Sequence, residues 1–354
     1  MRIAHVREHH APAGAPWRLA VALAGPAETE PVPVRWLDLE VARRRIVQAQ
    51  PDRAHNDALF RTPLTTLDDH LTAGRRIADL RSIVDDVAAI VAQPEEDGAV
   101  LAASDLQFGP PILQPPSLRD FYVFEAHVAT MWRRRGSEVP EAWYRMPIFY
   151  FGNVSEVRGP GAPVWAPRGS NELDFELEVC AVVDVAARDL DTASAEAAIG
   201  GYCILDDWSA RDLQRDETTV RLGPAKGKDF ATSIGPWITT PDELASARQV
   251  GAAGPHLAMT ATVHTADGRE VVCSDGRWSD ARFSFGAMLE RASADVRLRP
   301  GDLIGSGTVG SGSLLESREG TLGRYLEPGD VVTLAVERLG SLRTPIVARG
   351  DVVR

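Results

Sequence analysis

Cysteine is scarce in this sequence, since its 354 residues include only Cys180, Cys203 and Cys273. No pair has C-x-x-C spacing, which argues against a disulfide framework and against a structural zinc site. No apolar run approaches the roughly 20 residues that a membrane-spanning helix needs. Basic residues are also in the minority: 38 Lys and Arg stand against 50 Asp and Glu, so the formal net charge is −12. We therefore expect a cytoplasmic protein that binds neither nucleic acid nor membranes.

The rest of the composition is ordinary for a globular protein, with 44% hydrophobic and 25% charged residues. A chain of this length exceeds what one hydrophobic core comfortably supports, so we expect two unequal domains. Residues 108–118 are rich in proline and can continue neither a helix nor a central strand. We interpret them as a linker between a small N-terminal domain, residues 1–107, and a larger domain, residues 119–354.

Hydrophobic periodicity differs between the two parts. Apolar residues recur at helical spacing from Leu80 to Val91, and Gln93-Pro94 ends this pattern, which predicts one amphipathic helix. After the linker, short strands alternate with glycine and proline turns, as at residues 176–183 and 331–336. The predicted fold class is therefore mixed and β-rich, with a smaller N-terminal α+β domain.

A first acidic cluster lies in a segment of strict alternation, residues 173–179. As a strand, this segment puts its apolar side chains on one face and its three carboxylates on the other: Asp174, Glu176 and Glu178. A solvated outer face is the ordinary interpretation. The alternative is that Glu176 and Glu178 point into a pocket, where they would raise each other's pKa unless a hard cation neutralised them.

Two further clusters combine acidic residues with other polar groups. Residues 206–214 offer capping residues followed by a helical turn, with Asp207, Arg211 and Gln214 on one stripe at i, i+4 and i+7. Such a set suits a metal and an oxygen-rich substrate, or is an ordinary surface Asp–Arg pair. In residues 119–127, Asp120 can cap a helix that carries His127 seven positions later. That histidine is either structural or a general base.

Taken together and in this order, these clusters resemble the catalytic domain of the fumarylacetoacetate hydrolase family, from about Asp120 to the C-terminus. Four elements carry the resemblance: Asp120-Phe121-Tyr122 with His127, Leu173-Asp174-Phe175-Glu176-Leu177-Glu178, Asp207-Trp208-Ser209-Ala210-Arg211-Asp212-Leu213-Gln214, and Gly223-Pro224-Ala225-Lys226-Gly227-Lys228-Asp229-Phe230. The resemblance implies a β-roll catalytic domain and a homodimer.

The resemblance also implies a site. It assigns Mg²⁺ or Ca²⁺, with Mn²⁺ as a further candidate, to four carboxylates: Asp120, Glu176, Glu178 and Asp207. It makes His127 the residue that activates water, paired with Glu316. Catalytic roles are implied for Lys228, Arg211 and Gln214. Substrate contacts are implied for Tyr122, Tyr150 and Thr308, with Thr232 in support just outside the site.

The activity implied is hydrolytic carbon–carbon cleavage of a small 1,3-diketo or acylpyruvate-type acid, as in the breakdown of aromatic compounds. Two oxygens of such an oxo-acid substrate can chelate a hard cation, which polarises the carbonyl. The alternative is a hydratase, isomerase or decarboxylase of a 2-oxo acid on the same metal site. A non-catalytic, metal-stabilised binding protein is a third interpretation. After Tyr150 the chain reads Phe151-Gly152-Asn153 instead of the His-Gly-Arg of fumarylacetoacetases, which leaves the exact substrate open.

Overall fold

The computed structural model describes residues 1–12, 14–23, 34–90 and 98–352, with the backbone alone for residues 88–90. The strands in these ranges are β1 (Arg2–Glu8), β2 (Arg18–Ala22), β3 (Arg35–Asp38), β4 (Val100–Ala102), β5 (Leu106–Phe108), β6 (Leu118–Phe121), β7 (Phe149–Gly152), β8 (Val157–Arg158), β9 (Leu173–Asp174), β10 (Leu177–Val183), β11 (Ile199–Asp207), β12 (Ser209–Ala210), β13 (Thr232–Thr239), β14 (Ala258–His264), β15 (Glu270–Arg277), β16 (Leu303–Gly305), β17 (Val331–Val336) and β18 (Gly340–Pro345). The α-helices are α1 (Leu39–Ala49), α2 (Asp52–Asn56), α3 (Ala58–Arg61), α4 (Leu67–Thr72), α5 (Arg81–Ile90), α6 (Glu125–Arg134), α7 (Glu141–Arg145), α8 (Thr192–Ala197), α9 (Arg211–Thr218), α10 (Pro241–Leu244), α11 (Phe285–Ser293), α12 (Leu314–Ser317) and α13 (Arg349–Val352).

One large sheet runs through both parts of the chain. Within the described ranges its strand order is β4-β3-β2-β1-β13-β11-β10-β16-β6-β7, with β5 paired to β1 and β8 paired to β13. The junction is antiparallel, with Ile3 of β1 opposite Ile238 of β13. The first strands therefore extend a sheet whose centre is built from later residues. The division at residues 107 and 119 stays a prediction, and the predicted linker lies between β5 and β6 with only its end residues in strands.

A second sheet, with strand order β15-β14-β17-β18, packs against one face of the large sheet. Strand β17 alternates between buried and half-buried residues, and its buried side chains Val332, Leu334 and Val336 join the same core cluster as Leu177 and Val179 of β10. This alternation is what a strand with one face on the core requires. The two strands predicted at 176–183 and 331–336 are thereby confirmed, the first from Leu177 onward.

The N-terminal helices cover the opposite face of the large sheet. Ile46 of α1 and Ile83 of α5 pack in one cluster with Val182 of β10 and Leu205 of β11. The predicted amphipathic helix is present as a short 3₁₀ turn followed by α5, and the predicted end at Val91 and Gln93-Pro94 lies outside the described residues. Among the helices that the structure describes, none combines the length and apolar character needed to span a bilayer.

His5 of β1 joins this N-terminal layer to the proline-rich segment. Its imidazole is fully buried, accepts a hydrogen bond at Nε2 from the N–H of Leu67 (2.9 Å), and lies with Nδ1 2.9 Å from the carbonyl oxygen of Pro110. The neighbouring Asp68 accepts hydrogen bonds from the N–H groups of Leu113 and Gln114. Burial lowers the pKa of His5, so the neutral ring is the form that fits this position.

Candidate active site

A cavity of about 270 Å³ opens beside the ends of β6, β10 and β11. Its lining includes most of the residues that the sequence singled out: Asp120, Tyr122, His127, Tyr150, Glu176, Glu178, Asp207, Arg211, Gln214, Lys228 and Thr308. Of the remaining predicted residues, Glu316 touches the site through His127, and Thr232 lies opposite Asp207 in the adjacent strand. The structure thus brings together side chains from six separate segments of the chain.

The segment of alternating residues folds as predicted on its apolar side only. Leu173, Phe175, Leu177 and Val179 all belong to the main core cluster. The opposite side is not a solvated face, and that interpretation is wrong: Asp174 and Glu178 are fully buried and Glu176 is 6% exposed. The reason is that α9 and the first turn of α12 pack against this side: Asp174 accepts hydrogen bonds from Arg211 and from the N–H groups of Leu314 and Leu315.

The predicted helix cap at Asp120 is wrong. Asp120 lies within β6, which pairs in parallel with β16 and places Asp120 opposite Gly305. Helix α6 begins later, with Phe124 as its N-cap residue, and carries His127 in its first turn. The position of Asp120 is therefore set by the pairing of β6 with β16, which lie far apart in the sequence, and not by a local helix cap.

The prediction that Asp207, Arg211 and Gln214 lie on one helix is wrong for Asp207. Asp207 is the last residue of β11, paired with Thr232 of β13, and α9 begins only at Arg211. Arg211 and Gln214 do share the first turn of that helix. All three side chains nevertheless line the same cavity, because β11 ends next to the start of α9.

Three carboxylates converge at the inner end of the cavity. Asp120, Glu178 and Asp207 are buried, and one oxygen atom of each lies within 4.8 Å of the other two. Asp120 Oδ1 is buried without a hydrogen-bond partner, and a Cβ atom at Gly305 would lie only 2.4 Å from it. Three converging carboxylates, one with an unpaired oxygen in a space kept open by glycine, are the hard donor set that Mg²⁺ and Ca²⁺ prefer. These residues fit a divalent cation.

The raised pKa values of these carboxylates also favour a bound cation. Burial, followed by the charge of Asp207, raises the pKa of Asp120 well above its ordinary value. Burial, followed by the charges of Asp120 and Asp207, does the same to the pKa of Glu178. Like charges at this spacing are stable only if protonated or if a cation lies between them. Glu178 is also held by the N–H of Gly307 (2.9 Å), and Thr308 Oγ1 lies 3.5 Å from it.

Glu176, the fourth predicted metal ligand, has a different environment. Its Oε1 lies 2.7 Å from Nη2 of Arg211, and its Oε2 accepts a hydrogen bond from Nζ of Lys228. Burial opposes the ionised form, but Lys228 and Arg211 outweigh it and lower the pKa of Glu176. Glu176 therefore holds the side chains of Arg211 and Lys228 at the cavity wall. Its role as a metal ligand stays a prediction.

Lys228 is buried between two carboxylates. Besides Glu176, its ammonium group hydrogen-bonds to Oδ2 of Asp207, which also accepts a hydrogen bond from the hydroxyl of Tyr150 (2.6 Å). Burial lowers the pKa of Lys228, but the charges of Asp207 and Glu176 outweigh this effect and raise it. Lys228 consequently carries its positive charge inside the cavity, next to the three converging carboxylates.

His127 and Glu316 form a buried pair at another wall. Nδ1 of His127 lies 2.7 Å from Oε2 of Glu316, and the side chains are only 4% and 5% exposed. Glu316 is further held by the N–H of Ser311 and the hydroxyl of Ser313, and the ring of Tyr122 stands edge-on to the imidazole. Because Nδ1 faces Glu316, the nitrogen left for the cavity is Nε2. This is the arrangement of a general base oriented by a carboxylate.

The sequence did not single out the residues that form the cavity's apolar wall or its outer cation. Met131, Ile148, Phe149 and Leu315 provide apolar surface, and Arg135 lies at the C-terminal end of α6. In a single sequence, the apolar residues of this wall cannot be distinguished from residues of the hydrophobic core. Asp174 was noticed only as one member of the alternating strand, although it contacts Arg211 and the segment that carries Glu316.

The chain is similar to known proteins in both sequence and structure. The family model for the C-terminal domain of fumarylacetoacetate (FAA) hydrolase matches residues 117–347, well over half of the chain. Fumarylacetoacetase from Arabidopsis thaliana is 31% identical over 268 residues, which cover 61% of this chain and 63% of the plant protein. The chain therefore spans less than two thirds of the length of that relative.

Two solved structures extend the comparison. A 2-hydroxyhepta-2,4-diene-1,7-dioate isomerase from Mycobacterium marinum is 27% identical with a TM-score of 0.54, over 72% of this chain and 82% of that one. A fumarylacetoacetate hydrolase from Exiguobacterium antarcticum is 20% identical with a TM-score of 0.66, over 99% of this chain and 100% of that one. The second likeness concerns the fold alone, and it confirms the predicted fold class along nearly the whole chain.

Proposed function

This chain belongs to the fumarylacetoacetate hydrolase family, and we propose that it is a divalent-metal-dependent hydrolase that cleaves a carbon–carbon bond in a small acylpyruvate-type acid. The observation that carries this proposal is the buried pair of His127 and Glu316 in the wall of the cavity that holds the three converging carboxylates. A water-activating pair is needed for hydrolysis, whereas isomerisation and decarboxylation of an oxo-acid need no attacking water.

The chain's own residues account for the proton transfers. Nε2 of His127 takes a proton from water as the water oxygen attacks the acyl carbonyl carbon, and Glu316 stabilises the imidazolium that forms. The bond to the methylene carbon then breaks, and its electron pair takes up the proton held by the His127 imidazolium, which gives a carboxylic acid and pyruvate. A divalent cation bound by Asp120, Glu178 and Asp207 would supply Lewis-acid polarisation of the substrate oxygens.

The two buried cations and Gln214 line the part of the cavity next to the carboxylates. Lys228 is 8% exposed and places its ammonium group in the cavity wall, where burial makes it stabilise an oxyanion more strongly than in solution. Gln214 accepts a hydrogen bond from Arg211 at Oε1 (3.0 Å), which leaves its amide N–H groups as donors. These groups are suited to hold the negatively charged end of an oxo-acid.

A substrate panel tests this proposal. Purified protein with Mg²⁺ is incubated with acylpyruvates of increasing chain length, fumarylacetoacetate and oxaloacetate, and products are identified by mass spectrometry. We expect acylpyruvates to yield pyruvate and a carboxylic acid, with one ¹⁸O atom from labelled water in the new carboxylate. Loss of CO₂, or a product of unchanged mass, would overturn the hydrolase assignment.

Isomerisation is the second candidate, because the Mycobacterium marinum protein of similar sequence and structure is described as an isomerase. The panel separates the two activities, since an isomerase leaves the substrate mass unchanged and incorporates no ¹⁸O by attack. In an isomerase His127 would move a proton between substrate atoms and would not activate water, and the three converging carboxylates would still be required.

A further inference from the structure

Asp174 is a fully buried carboxylate outside the cavity lining, and it contacts two parts of the site at once. Its Oδ1 accepts a hydrogen bond from the N–H of Leu314 (2.8 Å). Its Oδ2 accepts hydrogen bonds from the N–H of Leu315 (2.9 Å) and from Nε of Arg211 (2.8 Å). One side chain therefore connects α9, which carries Arg211, to the first turn of α12, which carries Glu316.

We propose that Asp174 is a positioning residue that holds α12 against Arg211 and thereby keeps Glu316 at hydrogen-bonding distance from His127. Within α12, Glu316 directly follows the two residues whose N–H groups Asp174 accepts. The carboxylate of Glu316 also accepts hydrogen bonds from the N–H of Ser311 and the hydroxyl of Ser313. A displacement of this turn by even 1 Å would separate Glu316 from the imidazole, because their present distance is 2.7 Å.

The hydrogen-bond chemistry makes Asp174 difficult to replace. All three of its partners are donors, so the position needs a group that only accepts. An asparagine would turn its amide nitrogen toward at least one N–H group in either orientation, and the buried donors would lose a partner. The ion pair also matters, because Arg211 is 3% exposed and must be balanced by buried carboxylates, of which Asp174 is one and Glu176 the other.

The chain offers a matched control at Asp184, far from the cavity. This side chain is 1% exposed, accepts hydrogen bonds from the guanidinium of Arg76, and accepts another from the N–H of Ile77. Its partners, like those of Asp174, are one arginine and backbone N–H, although Arg76 is 42% exposed, and they connect the N-terminal layer to the large sheet. A general effect of removing a buried, arginine-paired carboxylate will be seen in D184N as well.

The test is a double-mutant cycle between Asp174 and Glu316, and its kinetic part rests on the proposed function. On the best acylpyruvate, D174N should lower kcat by about 10- to 100-fold with KM changed less than about threefold. In the E316A background the same change should lower kcat by less than about twofold, because no side chain is left at position 316 to be held against His127. D184N should leave kcat near that of the wild type. If D174N folds poorly, D174E takes its place in the same cycle.

A second measurement is independent of any reaction. Hydrogen exchange of the backbone at residues 311–317, together with the ¹⁵N resonances of the His127 imidazole, should change in D174N but not in D184N. An equal loss of kcat in both backgrounds, or an unchanged imidazole signal, would overturn the positioning role. If no member of the panel is cleaved, the proposed function fails, while the exchange and imidazole measurements still decide what Asp174 does.

Discussion

The proposed metal site makes the sharpest prediction, and Glu178→Gln is the perturbation. Glu178 is fully buried, lies among the three converging carboxylates, and has a pKa raised well above its ordinary value by burial and by the charges of Asp120 and Asp207. Glutamine keeps the shape and can still accept the N–H of Gly307, but it removes one charge from the donor set. We expect the affinity for Mg²⁺ or Mn²⁺ to fall by about 100-fold or more, since affinity for these ions depends on ligand charge.

The magnitude follows from linkage. A cation at 100 times its dissociation constant stabilises the folded protein by about 2.7 kcal/mol. With about 2.1 cal/mol/K of unfolding entropy per residue, a chain of 354 residues gains about 4 °C in melting temperature. Glu178→Gln should lose this gain. Without metal the variant should melt at the same temperature as the wild type or higher, because one of three mutually repelling carboxylates is gone.

The assay combines thermal unfolding and calorimetry, each with and without EDTA. A suitable control is Asp206→Asn, which changes a fully buried carboxylate next to Asp207 that accepts the N–H of Glu176 but does not belong to the converging three. The control should keep the metal-induced shift. EDTA should abolish turnover of the wild type, and Mg²⁺ or Mn²⁺ should restore it. Wild-type metal affinity in Glu178→Gln would refute the assignment of Glu178 as a ligand.

Three further predictions concern catalysis and pH dependence. His127→Ala should keep metal affinity and lose about 10² to 10⁴ in kcat, the usual contribution of a general base; near wild-type turnover would make His127 structural. Lys228→Met should lower kcat far more than it raises KM if the ammonium acts mainly in the transition state, and unchanged kinetics with metal affinity intact would remove that role. For His5, burial lowers the pKa below its ordinary 6.5, so its contribution to stability is complete above that pH and is lost as the pH falls toward the lowered value. The free energy of unfolding in urea should therefore decline less between pH 7.5 and 5 in His5→Leu than in the wild type. Parallel curves would contradict a lowered pKa for His5.

One part of the site, the segment that carries Glu176 and Glu178, could be predicted from the local sequence pattern. The alternation at residues 173–179 correctly separated core side chains from carboxylates, because strand geometry sends successive side chains to opposite faces. It did not show that the carboxylate side is buried. That depends on α9 and the first turn of α12, which pack against it from other parts of the chain.

The helix cap predicted at Asp120 and the helical stripe predicted to include Asp207 failed for a related reason. An aspartate followed by a helical pattern satisfies the capping rule, yet both residues end up in strands whose partners lie far along the chain. Strand pairing over such separations cannot be read from local spacing. The resemblance to a known family supplied what local pattern lacked, since it grouped Asp120, Glu178 and Asp207 without knowledge of the pairing.

The charges of the site divide into two sets, and this division favours a bound cation. Arg211 and Lys228 are the buried cations among the described residues that line the cavity, and their contacts with Asp174 and Glu176 balance those two carboxylates. Lys228 also touches Asp207, but it cannot neutralise the three converging carboxylates as well. Because these three are buried and close together, they remain ionised only if a further positive charge enters. The contacts of Lys228 with Glu176 and Asp207 also keep its ammonium group charged in the cavity wall, where it is suited to stabilise negative charge on a bound oxo-acid.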